Sequence, residues 1–212
     1  MLKNRPNVSG CSRTDSGVHA KSFFCHFDTD STINNVGLVL GLNTHLPKDI
    51  SVLKCYDVED DFHARYSSTG KTYRYRVYCS DVKNPFLEGR ALRIKQRIDF
   101  QKATEFCDLI SGEHNFEAFS SIHRTVKDTV RTVFEAKITK TDVGFDFIVT
   151  ANGFLYNMVR IMVGCLLDYA LGKLSKEKIE KAFKTGERSL LGATASPVGL
   201  YLEKVHYNKK FK

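Results

Sequence analysis

The 212 residues carry 32 Lys+Arg against 24 Asp+Glu, a formal net charge of +8, with 42% apolar and 26% charged residues. That balance excludes a disordered or fibrous chain and suffices for one large domain or two small ones. The longest apolar stretch, residues 153–172, is broken by Asn157, Arg160 and Asp168, and a charge near a bilayer centre costs about 2.5–3.5 kcal/mol on insertion scales, so it reads as a buried helix and not as a membrane span.

In chain order, the pattern predicts a strand at 18–28, a helix at 33–46 and a strand at 51–59. Around 71–78 Tyr73, Tyr75 and Tyr78 interleave with Lys71, Arg74 and Arg76; in a regular strand Tyr73 and Tyr75 share one face, Arg74 and Arg76 the other. A helix follows at 100–110, with Phe100, Ala103, Phe106, Cys107 and Ile110 on one stripe. Strands at 132–140 and 145–150 precede a helix at 154–171 stopped by Gly172, a helix at 176–183 capped by Ser175, and a strand at 200–207. Strands and helices mix without strict alternation, which predicts an α+β fold with a mixed, mostly antiparallel sheet flanked by helices. A break near 83–100 predicts two lobes, 1–95 and 96–212.

Residues 65–97 hold nine Lys/Arg and two acids, whereas 99–117 hold five acids and one Lys. The first segment is the footprint expected against phosphates, with tyrosines in a core and arginines in solvent as the other reading. A pI near 9.1 suggests an anionic partner, nucleic acid being the commonest, or simply a basic surface. The six cysteines form no CxxC pair and no apolar leader opens the chain, which reads as reduced thiols in a cytoplasmic protein. Gly-rich phosphate loops, HExxH, GxSxG and EF-hand patterns are absent, and the seven histidines are too scattered in sequence for a metal site.

The segment Ser12-Arg13-Thr14-Asp15-Ser16-Gly17-Val18-His19-Ala20 reads as a tight exposed loop entering a sheet. Such a loop presents an Asp to a ligand, or simply uses it as turn chemistry. Further segments stand with it: Phe62-His63-Ala64-Arg65-Tyr66-Ser67-Ser68 with Lys71-Thr72-Tyr73-Arg74-Tyr75, then Asn115-Phe116-Glu117-Ala118-Phe119 and Val130-Arg131-Thr132. After them come Gly153-Phe154-Leu155-Tyr156-Asn157-Met158-Val159-Arg160 and Gly192-Ala193-Thr194-Ala195 with Gly199-Leu200-Tyr201-Leu202. In this order, across residues 12–202, the segments resemble the tRNA pseudouridine synthase A family, whose loop is usually written G-R-T-D-x-G-V-H-A.

The resemblance implies a two-lobed pseudouridine synthase fold with the active-site cleft between the lobes. It implies isomerisation of uridine to pseudouridine at positions 38–40 of the tRNA anticodon stem-loop, without metal or organic cofactor, by a homodimer with tRNA lying across both subunits. It makes Asp15 the catalytic carboxylate, Tyr73 the ring stacked on the target base and Arg160 the partner of Asp15. Arg13 would displace or replace the extruded nucleotide, and Leu200 would line the base pocket. As a group, Arg65, Lys71, Arg74, Arg76, His123, Arg124, Lys127 and Arg131 are expected phosphate contacts, each with solvated surface as its alternative.

The chemistry suits these roles. The glycosidic C1′–N1 bond breaks, the uracil turns and C1′ rejoins at C5, on a base that must first leave its stack. An ionised carboxylate attacks covalently or stabilises positive charge at C1′. A planar ring holds a freed base while tolerating in-plane rotation, and the Tyr73 hydroxyl is a candidate for removing the C5 proton. A lone Arg160 on an apolar helix is costly unless paired. A catalytically inactive RNA-binding or chaperone-like protein on the same scaffold is the competing reading.

Two departures from the family pattern are local: Ser12 stands for the usual Gly, and Ser196-Pro197 for a Pro directly after Thr-Ala. The front departs further. Family members carry a first strand and an amphipathic helix ahead of the loop, whereas ten residues precede Cys11 here and Trp is absent. A truncation is the favoured expectation, over an alternative start or a reduced variant. It would leave an unpaired sheet edge and uncover apolar surface.

Overall fold

The computed structural model describes residues 5–121 and 128–208. In chain order its elements are β1 (Ser9–Gly10), β2 (His19–Ala20), β3 (Cys25–His26), α1 (Asn35–Asn43), β4 (Ser68–Cys79), β5 (Leu92–Ile94), α2 (Phe100–Ile110) and β6 (Gly112–Asn115). β7 (Val130–Thr141), β8 (Gly144–Ala151), α3 (Met158–Ala170), α4 (Lys176–Thr185) and β9 (Leu200–Tyr207) follow. This is the expected α+β class.

The described residues fall into two compact units. The first holds 5–13, 24–68 and 207–208, and the second 14–23, 69–121 and 128–206.

In the first unit β1 and β3 pair antiparallel, Ser9 opposite His26, and Cys11 N–H extends the ladder to the Phe24 carbonyl at 2.8 Å. Asn34 caps α1 through a 2.7 Å bond from Gly37 N–H to its Oδ1, so the helix begins two residues later than predicted. The predicted strand at 51–59 does not form. Side chains engage the segment instead: Asn43 brackets the Val52 backbone with two 2.8 Å bonds, and Asn35 Nδ2 reaches Asp57 Oδ2 at 3.0 Å. Residues 62–68 are tied down in the same way, with His63 Nδ1 accepting from Arg65 N–H at 3.1 Å and Ser67 Oγ accepting from His63 N–H at 2.9 Å. Val36, Leu40 and Leu53 are exposed.

The second unit is built on a seven-stranded sheet in the order β2-β9-β4-β8-β7-β6, with β5 alongside β4. Antiparallel pairing links β4 to β8, β8 to β7 and β7 to β6, whereas β2–β9 and β4–β5 are parallel. The register sets Tyr73 opposite Val149, Tyr75 opposite Phe147 and Val77 opposite Phe145. All six are buried, and α2 and α3 add Phe106, Ile110, Ile161, Met162 and Leu166 to the core. Burying each such side chain contributes roughly 1.5–3 kcal/mol. All six cysteines are free, and burial pushes the Cys107 and Cys165 thiols up to about 12, which leaves them neutral within the core.

The other face of β4 is polar, as the alternation predicts. Arg74 bridges Asp146 at 3.3 Å and Glu203 at 3.0 Å, Arg76 lies 3.7 Å from Asp146, and Lys21 holds Glu203 at 3.0 Å. Thr72 Oγ1 bonds Thr150 Oγ1 at 2.9 Å and His206 Nε2 at 2.8 Å. Burial, with the Lys204 charge adding to it, holds the His206 imidazole below its ordinary 6.5. The unfolded chain therefore takes up this proton before the folded chain does. The contribution is fully present above about pH 6.5 and is lost as pH falls further. His206→Gln, which keeps a polar group near Nε2, is expected to flatten this part of the melting-temperature profile between about pH 7 and 5; a profile parallel to wild type would contradict the assignment.

The predicted strand at 18–28 is split. Residues 19–20 join β9 and residues 25–26 join β1, because Lys21-Ser22 and Phe23-Phe24 break the two-residue alternation one continuous strand needs. The helix predicted from 154 starts at Met158, since Asn157 adopts φ +61. Gly172 ends the same helix as expected, at φ +71. α2 matches its predicted bounds, capped by Asp99 Oδ1 on Gln101 N–H at 2.8 Å.

Candidate active site

Asp15 sits on the turn that feeds β2. Its carbonyl accepts from Val18 N–H at 3.1 Å, and Gly17 takes φ +81, a conformation that favours glycine. The far end of the loop is anchored on β9: His19 pairs with Tyr201 and stacks on its ring at 4.5 Å, and Lys21 N–H reaches the Leu202 carbonyl at 2.9 Å. An otherwise exposed loop thus presents its carboxylate from a fixed base.

Arg160, in the first turn of α3, meets that carboxylate. Its Nη1 donates to Asp15 Oδ2 at 2.9 Å and to Asn157 Oδ1 at 2.9 Å, and its Nε donates to the Ala195 carbonyl at 2.8 Å. The Asp15 side chain keeps 26% of its surface exposed, against 17% for Arg160. A charge-assisted bond at this partial burial outweighs an ordinary surface pair, which contributes about 0–1 kcal/mol. Asp15 and Arg160 are thus brought together across 145 positions of sequence.

The segment holding Ala195 is pressed onto α3. Ala195 N–H returns a 3.1 Å bond to the Arg160 carbonyl, and the Tyr75 hydroxyl donates to the Ser196 carbonyl at 2.6 Å. Burial raises the Tyr75 phenol, opposed by the Arg160 guanidinium, so the hydroxyl stays a donor at neutral pH. The close approach requires Gly164, where a Cβ would overlap the Ala193 carbonyl oxygen. Alanine would improve helix propensity by about 1 kcal/mol, but a clash with backbone cannot be relieved by a rotamer change and dominates. Gly164→Ala is therefore expected to lower stability by roughly 2 kcal/mol in urea unfolding; an unchanged midpoint would show that the segment yields freely.

Tyr73 and Leu200 are each 7% exposed and lie on the buried face of β4 and at the start of β9. The Tyr73 ring meets Phe154 edge-on at 5.0 Å. Arg13 is exposed and belongs to the first unit, as does Arg65, whose guanidinium lies 5.6 Å from the Tyr66 ring centroid. Lys71 is half-buried on β4. Arg74 and Arg76 are held in the ion pairs described above, and Arg131 Nη1 donates to the Asp128 carbonyl at 3.2 Å. His123, Arg124 and Lys127 lie outside the described residues. Sequence reasoning missed Tyr75, Asn157 and the Ala195 carbonyl as parts of the site. The available signal was a polar Asn immediately before an apolar helix.

Among the described residues no three His, Cys, Asp or Glu side chains come together as a metal cluster, and no helix is long and apolar enough to cross a membrane. A cleft of about 640 Å³ lined by Tyr78, Arg97, Phe100 and Asp142 touches none of the residues around Asp15.

Residues 107–208 match a family profile described as tRNA pseudouridine synthase. Over 206 residues the chain is 39% identical to the tRNA pseudouridine synthase A of Staphylococcus epidermidis RP62A, covering 97% of this chain and 77% of that one. It is 39% identical over 209 residues to the protein of that name from Staphylococcus aureus MSSA476, covering 99% and 78%. To the tRNA pseudouridine synthase A 2 of Clostridium perfringens strain 13 it is 40% identical over 207 residues, covering 98% and 85%.

Proposed function

Because the chain belongs to the tRNA pseudouridine synthase A family, we propose that it isomerises uridine to pseudouridine at positions 38–40 of the tRNA anticodon stem-loop, with Asp15 as the catalytic carboxylate. The observation that carries the residue assignment is the Arg160–Asp15 bond at 2.9 Å on a part-exposed carboxylate. A carboxylate aligned by an arginine and still part-exposed is a group placed to act on a ligand, which favours catalysis over the inactive RNA-binding reading.

The target base leaves its stack to reach the loop. Asp15 then attacks, or stabilises positive charge at C1′, as the C1′–N1 bond breaks. Arg160 engages Oδ2 and orients the carboxylate. The uracil turns while still held, and C1′ bonds to C5. The C5 proton leaves to a base and N1 gains one, so the product is an isomer of the substrate. Tyr73 and Leu200 supply apolar wall for the turning base, where aromatic stacking is worth about 1–3 kcal/mol. Arg13 takes the space of the extruded nucleotide, and Arg65, Lys71, Arg74, Arg76, His123, Arg124, Lys127 and Arg131 as a group contribute phosphate contacts. We read the working form as a cytoplasmic homodimer, which doubles the formal +8 facing tRNA.

The test is incubation of the chain with an anticodon stem-loop transcript, followed by carbodiimide labelling of pseudouridine and mass spectrometry. Label at positions 38–40 is expected. RNA binding with no labelled product would favour the inactive scaffold.

A further inference from the structure

Among the described residues Asn157 is the one non-glycine with positive φ, at +61. That conformation is disfavoured for an L-residue, with Asn among the more tolerant types. The residue also stands at the N-cap position of α3, where an Asn side chain ordinarily bonds its own helix, yet it makes no such bond. Its amide caps no backbone N–H of the helix and meets side chains: Nδ2 donates to Ser121 Oγ at 2.8 Å and Oδ1 accepts from Arg160 Nη1 at 2.9 Å. Ser121 in turn fixes the preceding turn through its N–H to the Tyr156 carbonyl at 3.2 Å.

From these contacts we infer that Asn157 is a positioning residue for the reaction proposed above: its amide oxygen holds Arg160 to a single oxygen of Asp15, leaving the other for the substrate. The inference rests on the proposed function. Arg160 Nη1 is shared between Asn157 Oδ1 and Asp15 Oδ2, while Nε is fixed on Ala195. Three acceptors from three segments set the plane of the guanidinium. Without the Asn157 oxygen, Nη1 has only the carboxylate to satisfy it, and the planar fork is free to turn into the two-oxygen grip that arginine favours with carboxylates. Asp15 would then be bound up by its own partner. The strained backbone is a cost maintained for this alignment and not for helix capping.

The experiment compares wild type, Asn157→Gly, Asn157→Asp and Asp15→Ala on an anticodon stem-loop transcript. Glycine accepts positive φ without strain, so Asn157→Gly should melt within about 3 °C of wild type. Its kcat is expected to fall roughly 10- to 100-fold, the range for a hydrogen bond to a charged group, with KM changed less than about twofold. Asn157→Asp restores an acceptor oxygen and should recover most of the loss. Wild-type kcat in Asn157→Gly, or equal losses in the Gly and Asp variants, would overturn the inference. Absence of product from wild type, or an active Asp15→Ala, is a failure of the functional reading instead. A crystal structure of Asn157→Gly then decides the positioning role alone: Arg160 turned onto both oxygens of Asp15 supports it, and an unmoved guanidinium overturns it.

Discussion

Asp15→Ala is expected to reduce pseudouridine formation by at least about 10⁴-fold, equivalent to about 5.5 kcal/mol of transition-state stabilisation, while tRNA affinity is retained. The two quantities separate because they draw on different groups. Affinity for tRNA comes chiefly from cations facing phosphates, and removing one carboxylate makes the formal net charge of +8 more positive by one. Binding should therefore tighten slightly, and more visibly at low salt. Chemistry needs an anionic oxygen at the breaking glycosidic bond, and in the described structure Asp15 is the acid bonded to Arg160. Asp15→Asn is the more demanding control. Its amide oxygen can still accept from Arg160, so the fold and the guanidinium position are kept while the negative charge is lost. Single-turnover assays with saturating enzyme, beside filter binding of the same transcript, separate the two effects. Either variant turning over within about tenfold of wild type would remove Asp15 from the chemistry.

The residues best read from sequence are those whose information is local. Tyr73, Arg74, Tyr75 and Arg76 alternate by two, and their side chains alternate between a buried face and an ion-paired face. The stripe on α2 is equally local, and the bounds of that helix are as predicted. What failed depended on partners distant in sequence. Residues 18–28 carry a local interruption at Lys21-Ser22 and Phe23-Phe24, but that β2 finds β9 and β3 finds β1 is a choice no window of ten residues contains. Residues 51–59 have strand-like composition, yet the Asn43 amide takes the Val52 backbone groups before any strand can. The site shows the same division. An isolated Arg on an apolar helix signals a missing acid, although only the resemblance to a family names Asp15 from the sequence. Ala195 acts through its carbonyl, which every residue type carries. Asn157 acts through a backbone angle that residue identity permits without specifying.

Arg160→Met should produce the largest loss of stability among changes at the site, about 3 kcal/mol, together with a loss of activity of about 10²–10³-fold. Methionine preserves much of the apolar stem but removes donors from three acceptors at once: Asp15 Oδ2, Asn157 Oδ1 and the Ala195 carbonyl. Leaving part-buried acceptors unsatisfied costs more than the bonds contribute when made. The 26% exposure of Asp15 lets water recover some of that loss, which keeps the figure at the lower end for a broken buried pair. Arg160→Lys should recover little, because one ammonium on a flexible stem cannot reproduce the guanidinium geometry that reaches a carbonyl through Nε and two side-chain oxygens through Nη1. The destabilisation should also be non-additive. Once Asp15 is Ala, Arg160→Met leaves no stranded carboxylate, so the double variant should be more stable than the sum of the single changes by about 1–3 kcal/mol in urea unfolding. Strict additivity would mean that the pair contributes nothing to holding the loop. Arg160 would then serve α3 and the Ala195 segment alone, and Asp15 would owe its position to the turn at Gly17 and the anchorage of β2 on β9.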